Sequence, residues 1–272
     1  AGIVHRGRPS GAAVTGRVHR EHVEAFGGED VLFPGGYDQI AQILAPGLDI
    51  RLGHPVRSIV FGTEGVTVET TASHFSAERA IVTLPLGVLQ KGVVAFDPPL
   101  PKAKQEAIAA LGMGLLNKVY LRFPRIFWPK EADVLGFISE RKGEWTETLN
   151  IAHYTGWPVL LCFNAATYGR AIEKLTDAEI VAGAMQRLRV MFGADIPKPT
   201  GYQITRWASD PYAYGSYSYL RPGTDGDTLD TLAAPVEDRL FFAGEATSRD
   251  YEATVHGAYR SGLRAAEEII NF

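Results

Sequence analysis

The sequence carries a single cysteine, Cys162, among 272 residues. An internal disulfide is therefore impossible, and no group of thiolates can hold zinc or an iron–sulfur centre. One lone thiol fits a reducing, cytoplasmic compartment. Long apolar runs are missing: none approaches the roughly 18 residues that a membrane-spanning helix needs. No secretory apolar segment follows the first residue, Ala1. A basic surplus is missing too. Lys and Arg number 27 against 31 Asp and Glu, a net charge of −4. This argues against a nucleic-acid partner, because phosphate binding wants a basic surface. No Walker-type phosphate loop and no Gly-x-Ser-x-Gly elbow occur, and no His-x-x-x-His pairs with an acid at metal-ligand spacing.

What is present is an ordinary globular balance, with 46% hydrophobic and 21% charged residues. The length suits one large or two modest domains. Residues 1–28 differ from the rest. They carry Arg6, Arg8, Arg17 and Arg20, no acid before Glu21 and little periodicity. They read as an extended or disordered lead-in, or as vector-derived sequence.

From Val31 the signals sharpen. Ile40, Ile43 and Leu44 recur at helical spacing until Pro46-Gly47. Val56–Val60 and Val66–Thr70 read as a hairpin around Gly62–Gly65, and Ala80–Leu84 as a buried strand ending at Pro85. Pro98, Pro99 and Pro101 suggest a domain crossing. A helix is predicted from Lys102 to Leu111. A strand is predicted over Asn117–Phe123, with Val119 and Leu121 on one face and Lys118, Tyr120 and Arg122 on the other. Two more strands are predicted over 147–154 and 159–165. Thr176 and Glu179 form a capping box for a helix ending at Gly193. A strand follows at 203–207, then irregular chain over 208–228. Last come the strand Leu240–Gly244 and a helix starting near Thr254.

Three places could carry chemistry. At the final strand–loop–helix, a helix start has free N–H groups and a partial positive charge. Gly257, Ala258, Ser261 and Gly262 would let a flat ligand approach the backbone there. The plainer reading is that small residues serve tight packing. Lys118 either points inward to hold a water or a polar cofactor atom, or belongs to a solvated face. The segment Arg206–Tyr219, dense in aromatic rings, suits either a ligand wall or a packed surface loop. His256 invites a general-base role, although its small neighbours favour a structural one.

Several strings, in this order, resemble the flavin-dependent amine oxidases, the family of polyamine oxidases, monoamine oxidases and lysine-specific histone demethylases. They are Pro55-Val56-Arg57-Ser58-Ile59, Thr83-Leu84-Pro85-Leu86-Gly87-Val88-Leu89 and Leu116-Asn117-Lys118-Val119. Further along come Arg206-Trp207 with Asp210-Pro211, then Gly215-Ser216-Tyr217-Ser218-Tyr219. The last stretch runs from Phe242-Ala243-Gly244-Glu245-Ala246-Thr247 through Thr254-Val255-His256-Gly257-Ala258. The resemblance runs from about Val31 to Ile270 and is nearest to the polyamine oxidase and demethylase branch. It implies an α+β (mixed α/β) fold. One lobe is an incomplete FAD-binding domain, from 29–92 and 229–272. The other is a substrate-binding domain, 93–228, with a mixed sheet flanked by helices.

The resemblance also implies roles. Val56 would lie against the adenine end of FAD, and Thr83 and Pro85 would border the dinucleotide. Glu245 would face its ribityl and phosphate region, Thr254 and Val255 would sit at the helix start under the flavin, and Gly244 and Ala258 would also bind the cofactor. Lys118 would be catalytic, reaching flavin N5 through a water. Trp207 and Tyr217 would line the flavin and the amine path. Tyr212, Tyr217 and Thr254 would contact a small-molecule amine, with Thr254 in place of a second aromatic wall. Dioxygen would reoxidise the flavin to give hydrogen peroxide. The family's Gly-x-Gly-x-x-Gly turn is absent. The sequence therefore reads as a C-terminal portion, with the glycine-rich half lost or supplied by a separate chain. An L-amino-acid oxidase is the alternative, with Arg122, Arg206 or Arg221 for a carboxylate. A non-catalytic module without FAD is the other.

Overall fold

The computed structural model describes residues 31–271, so the lead-in at 1–28 lies outside the described residues. Along the chain the elements are α1 (Gln39–Leu44), β1 (Val56–Gly62), β2 (Gly65–Thr70), β3 (His74–Ala77), β4 (Ala80–Val82), α2 (Leu86–Lys91), β5 (Ala95–Asp97), α3 (Lys102–Ala110), β6 (Gly112–Met113) and β7 (Leu116–Arg122). Then come β8 (Val134–Gly136), β9 (Glu147–Asn150), α4 (Ile151–Thr155), β10 (Val159–Ala165), α5 (Ala166–Ile172), α6 (Asp177–Phe192) and β11 (Gly201–Ile204). The last are β12 (Ser218–Tyr219), α7 (Gly226–Ala233), β13 (Leu240–Phe242), a 3-10 turn at Glu245–Thr247, and α8 (Val255–Ile270).

Two compact units result. One holds residues 114–210; the other holds, among the described residues, 31–113 and 211–271. These divisions differ from the expected 93–228 lobe. The proline-rich segment does not separate the units: Leu100 is buried in one core with Ile108, and Pro101 starts α3.

The 114–210 unit is built on a five-stranded sheet, β11-β7-β10-β9-β8, antiparallel at every pairing. The mixed sheet is in the other unit: order β3-β2-β1-β5, with β1 parallel to β5. The 147–154 stretch is strand only to Asn150. It then turns into α4, because the Asn150 side chain is buried and ties back to Ala132 O, at 2.7 Å, and to Trp128 Nε1, also at 2.7 Å. The capping box of α6 forms as expected: Thr176 Oγ1 accepts from Glu179 N, and the Glu179 carboxylate accepts from Thr176 N at 2.8 Å. Ile180, Ala184 and Leu188 then face a core shared with Val119, Leu121 and Cys162.

In the other unit β13 runs parallel to β4. Phe242 packs into the core of α2, α3 and α7, whereas Phe241 faces Ala265 of α8. Burial on both faces is why Leu240–Ala243 is an unbroken apolar run.

Candidate functional site

The carboxyl ends of β4 and β13 lie side by side. Phe242 pairs with Val82, and the Ala243 N–H reaches Val82 O at 3.0 Å. Thr83 and Pro85 leave one strand and Gly244 leaves the other. Thr83 and Pro85 are exposed. Gly244 has φ 136°, a backbone state that favours glycine, and nothing stands within 4 Å of where a Cβ would project.

Past Gly244 the chain is lashed to the start of α8. Ser261 Oγ accepts from Gly244 N at 2.8 Å and donates to Ala258 O at 2.7 Å. Thr254 is the N-cap: its Oγ1 accepts from Gly257 N at 3.0 Å and donates to Tyr251 O at 2.7 Å. The expectation that Gly257 and Ser261 open the helix to a ligand is corrected here. A Cβ on Gly257 would run into the Tyr251 carbonyl oxygen, and Ser261 is 3% exposed. Both are small because chain packs against them. Val255 remains open: its side chain is exposed, and its N–H has no partner among the described residues. The ring of His256 stands edge-on to Tyr251, centroids 5.0 Å apart.

Glu245 organises this region. One carboxylate oxygen accepts from Ser218 N at 3.0 Å. The other accepts from Ser218 Oγ at 2.5 Å and from Ala253 N at 2.8 Å. One side chain thus ties Tyr217-Ser218 to the lead-in of α8. Tyr217 is held next to this clamp, and Tyr212 is largely exposed in the same segment. Val56 lies on the other sheet, at the start of β1, with its side chain against the core. Glu245→Ala is expected to destabilise the chain by about 2–4 kcal/mol, because two backbone donors lose a charged acceptor. Glu245→Gln, which keeps one oxygen, should cost roughly half as much. Urea unfolding of the two variants checks the order.

The 114–210 unit carries Lys118 and Trp207. Cross-strand partners share a face, and this groups Lys118 with Phe163, and Tyr120 with Leu161 and Gln203. Lys118, Tyr120 and Phe163 are half-buried, and burial pushes the Tyr120 hydroxyl up. The face is therefore not simply solvated.

The opposite face holds two residues that local pattern alone did not single out. Asn117 donates to Glu173 Oε1 at 2.6 Å, and its Oδ1 accepts from Thr205 Oγ1 at 3.1 Å and from Trp207 N at 3.0 Å. Glu173 also accepts from Ala208 N at 2.9 Å and Ser209 Oγ at 2.6 Å. Burial alone would raise its carboxyl; the hydrogen bonds from Ser209, Asn117 and Ala208 outweigh it and hold the group below the usual range. This clamp fixes Trp207 beside the Lys118 strand, where Thr205 Oγ1 accepts from Lys118 N at 2.8 Å. A signal for Asn117 existed, namely a polar residue at an inward position of an alternating strand. Glu173, far along the chain, had none.

Among the described residues, no group of three or more His, Cys, Asp and Glu could hold a metal, and no helix is long and apolar enough to cross a membrane. The family model for flavin-containing amine oxidoreductases matches residues 4–270, so the segment read as a lead-in is largely family sequence and not a vector remnant. Lysine-specific histone demethylase 1 homolog 1 of Oryza sativa subsp. japonica is 42% identical over 251 residues, covering 90% of this chain and 30% of that protein. Polyamine oxidase 4 of the same organism is 43% identical over 250 residues, covering 92% and 50%. A solved putrescine oxidase double mutant superposes with TM-score 0.74 at 25% identity, covering 88% of this chain and 53% of its own. The chain thus spans a third to a half of the length of these relatives.

Proposed function

The chain belongs to the flavin-containing amine oxidoreductase family, and from that premise we propose that it serves the oxidation of a polyamine-like amine by FAD, with dioxygen as final acceptor and hydrogen peroxide as product. The observation that carries the reading is the open start of α8 beside the ends of two parallel strands. The free Val255 N–H, the helix dipole and the bare Gly244 turn suit a flat group that gathers negative charge. The residues present therefore fit the isoalloxazine end of the cofactor. The pyrophosphate end has no glycine-rich turn in this chain. We infer that other sequence, on the same or a separate polypeptide, supplies it. Exposed apolar residues between 31 and 52, among them Val31, Ile43, Leu48 and Leu52, support such a covering partner.

Bound flavin supplies a two-electron acceptor for the hydride leaving the amine α-carbon. The chain's own residues do the rest. Thr83 and Pro85 would border the dinucleotide, and Val56 would offer backbone to its adenine end. Thr254, Val255 and Ala258 present the helix start. Glu245 acts by position, since its oxygens are engaged with Ser218 and Ala253. Tyr217 and Tyr212 would give aromatic walls that strip water from an alkylamine. That favours its neutral form, the one able to release hydride, against a solution pKa near ~10. Thr254, smaller than an aromatic ring, leaves room for a long or substituted amine. Lys118 is assigned the catalytic role of holding a water on its half-buried face.

For the amino-acid oxidase alternative, Arg206 is committed to Asp177 at 2.7 Å. The test is flavin bleaching without oxygen, in protein containing this chain, on adding spermidine or a free amino acid. Spermidine should bleach the flavin, and Lys118→Met should slow bleaching, or reoxidation once oxygen is readmitted, by about 10²-fold or more. Bleaching by the amino acid alone would overturn the amine reading, and unchanged rates in Lys118→Met would remove the lysine from catalysis.

A further inference from the structure

A cleft of about 510 Å³ opens in the unit of residues 31–113 and 211–271, between α2, β5 and α3. None of the strand-end or helix-start residues described above lines it. Its apolar lining comes from Leu89, Val94, Phe96, Leu100 and Ile108, three of which (Val94, Leu100 and Ile108) are also core residues. The volume falls in the range of small-molecule sites, and the cleft is open to solvent, with polar and apolar groups sharing its lining.

Polar groups enter it from three places. The Gln90 amide nitrogen is spent on Ile108 O and Leu111 O, each at 2.9 Å, and that of Gln105 on Leu100 O at 2.6 Å. Neither amide oxygen has a donor among the described residues. Arg221 makes one hydrogen bond, from Nη1 to Ala109 O at 3.2 Å, and no ion pair among the described residues. The cleft thus offers one guanidinium and two amide oxygens, all on solvent-exposed residues, beside an apolar floor.

We propose that this cleft binds a small organic monocarboxylate with an apolar body and an N–H or O–H donor. The planar guanidinium of Arg221 matches a carboxylate. A single cation balances one negative charge. The Gln90 and Gln105 oxygens accept from the donor, and the aliphatic walls cover the body. The inference does not depend on the amine-oxidase reading, since it concerns other residues and a ligand of opposite charge.

The test is calorimetric titration of the full chain with indole-3-acetate and with its neutral counterpart, indole-3-acetamide. The carboxylate should bind saturably, one per chain, at or below about 1 mM, and the amide at least about tenfold more weakly. Arg221→Gln should bring the carboxylate to the affinity of the amide. Ala109→Trp, placed on an exposed helix position that lines the cleft, should abolish binding of both. Equal affinity for the two probes, binding untouched by either variant, or no saturable binding of the carboxylate would overturn the proposal.

Discussion

Alanine at Gly257 is expected to destabilise the chain by about 3 kcal/mol or more. Helix propensity alone predicts the opposite, since glycine to alanine inside a helix ordinarily gains about 1 kcal/mol. The sign reverses because the Tyr251 backbone closes over the first turn of α8. A Cβ there meets the Tyr251 carbonyl oxygen, with the carbonyl carbon 2.9 Å away, and backbone cannot swing aside as a side-chain end can. Gly262 is the control. It sits in the same helix, and nothing lies within 4 Å of its missing Cβ. Gly262→Ala should therefore stabilise by about 0.5–1 kcal/mol. Opposite shifts in urea midpoint for the two variants are the expected result. A gain in both would mean that Tyr251 does not close on the helix.

The second large effect is at Lys104. Only 3% exposed, it donates to Thr231 O at 3.2 Å and to Leu232 O and Ala234 O, both at 2.6 Å. Its ammonium also lies 3.9 Å from the centroid of the Phe242 ring. It satisfies carbonyls at the end of α7 that have no successor residues to bond. Lys104→Ala removes both the stem and the donor and should cost about 3–5 kcal/mol. Burial pulls the amine from its ordinary 10.5 down to about 7, with Arg264 adding to the fall and Glu268 opposing it. Between about 7 and 10.5, then, the folded chain holds this group neutral while the unfolded chain binds a proton. Unfolding takes up a proton in that window, so its free energy rises with pH; below about 7 the full cost of the buried charge remains. The difference between the wild type and Lys104→Met should therefore grow with pH, by a few kcal/mol at most. Subtraction removes groups common to both, such as the Cys162 thiol, which burial pushes up to about 11. Parallel pH profiles would show that the amine keeps its proton when folded.

Local pattern was a good guide where the deciding physics is local. The Thr176–Glu179 box closes within one helical turn. The alternation through Val119 and Leu121 describes a strand with one buried face. Gly62 and Gly65 close the β1–β2 hairpin, and Thr254 caps α8. The pattern did not show α2, a helix of six residues straight after Pro85, too short to display a period. Nor did it show β3, an exposed edge strand with little apolar content. At the candidate site the ordered strings brought attention to Thr83, Gly244, Glu245 and Val255, but not to what Glu245 holds.

The sequence by itself determined the longer elements, the caps of α6 and α8, and the family, because periodicity, capping and ordered motifs are properties of neighbours along the chain. Only the tertiary structure decided which small residues of α8 face packing and which face space. It also revealed that Asn117 and Glu173 brace Trp207, that Glu245 joins Ser218 to Ala253, and that Lys104 closes α7. Each depends on groups far apart in sequence that burial forces to satisfy one another, and a hydrogen bond or close contact of that kind leaves no mark in the spacing of either partner.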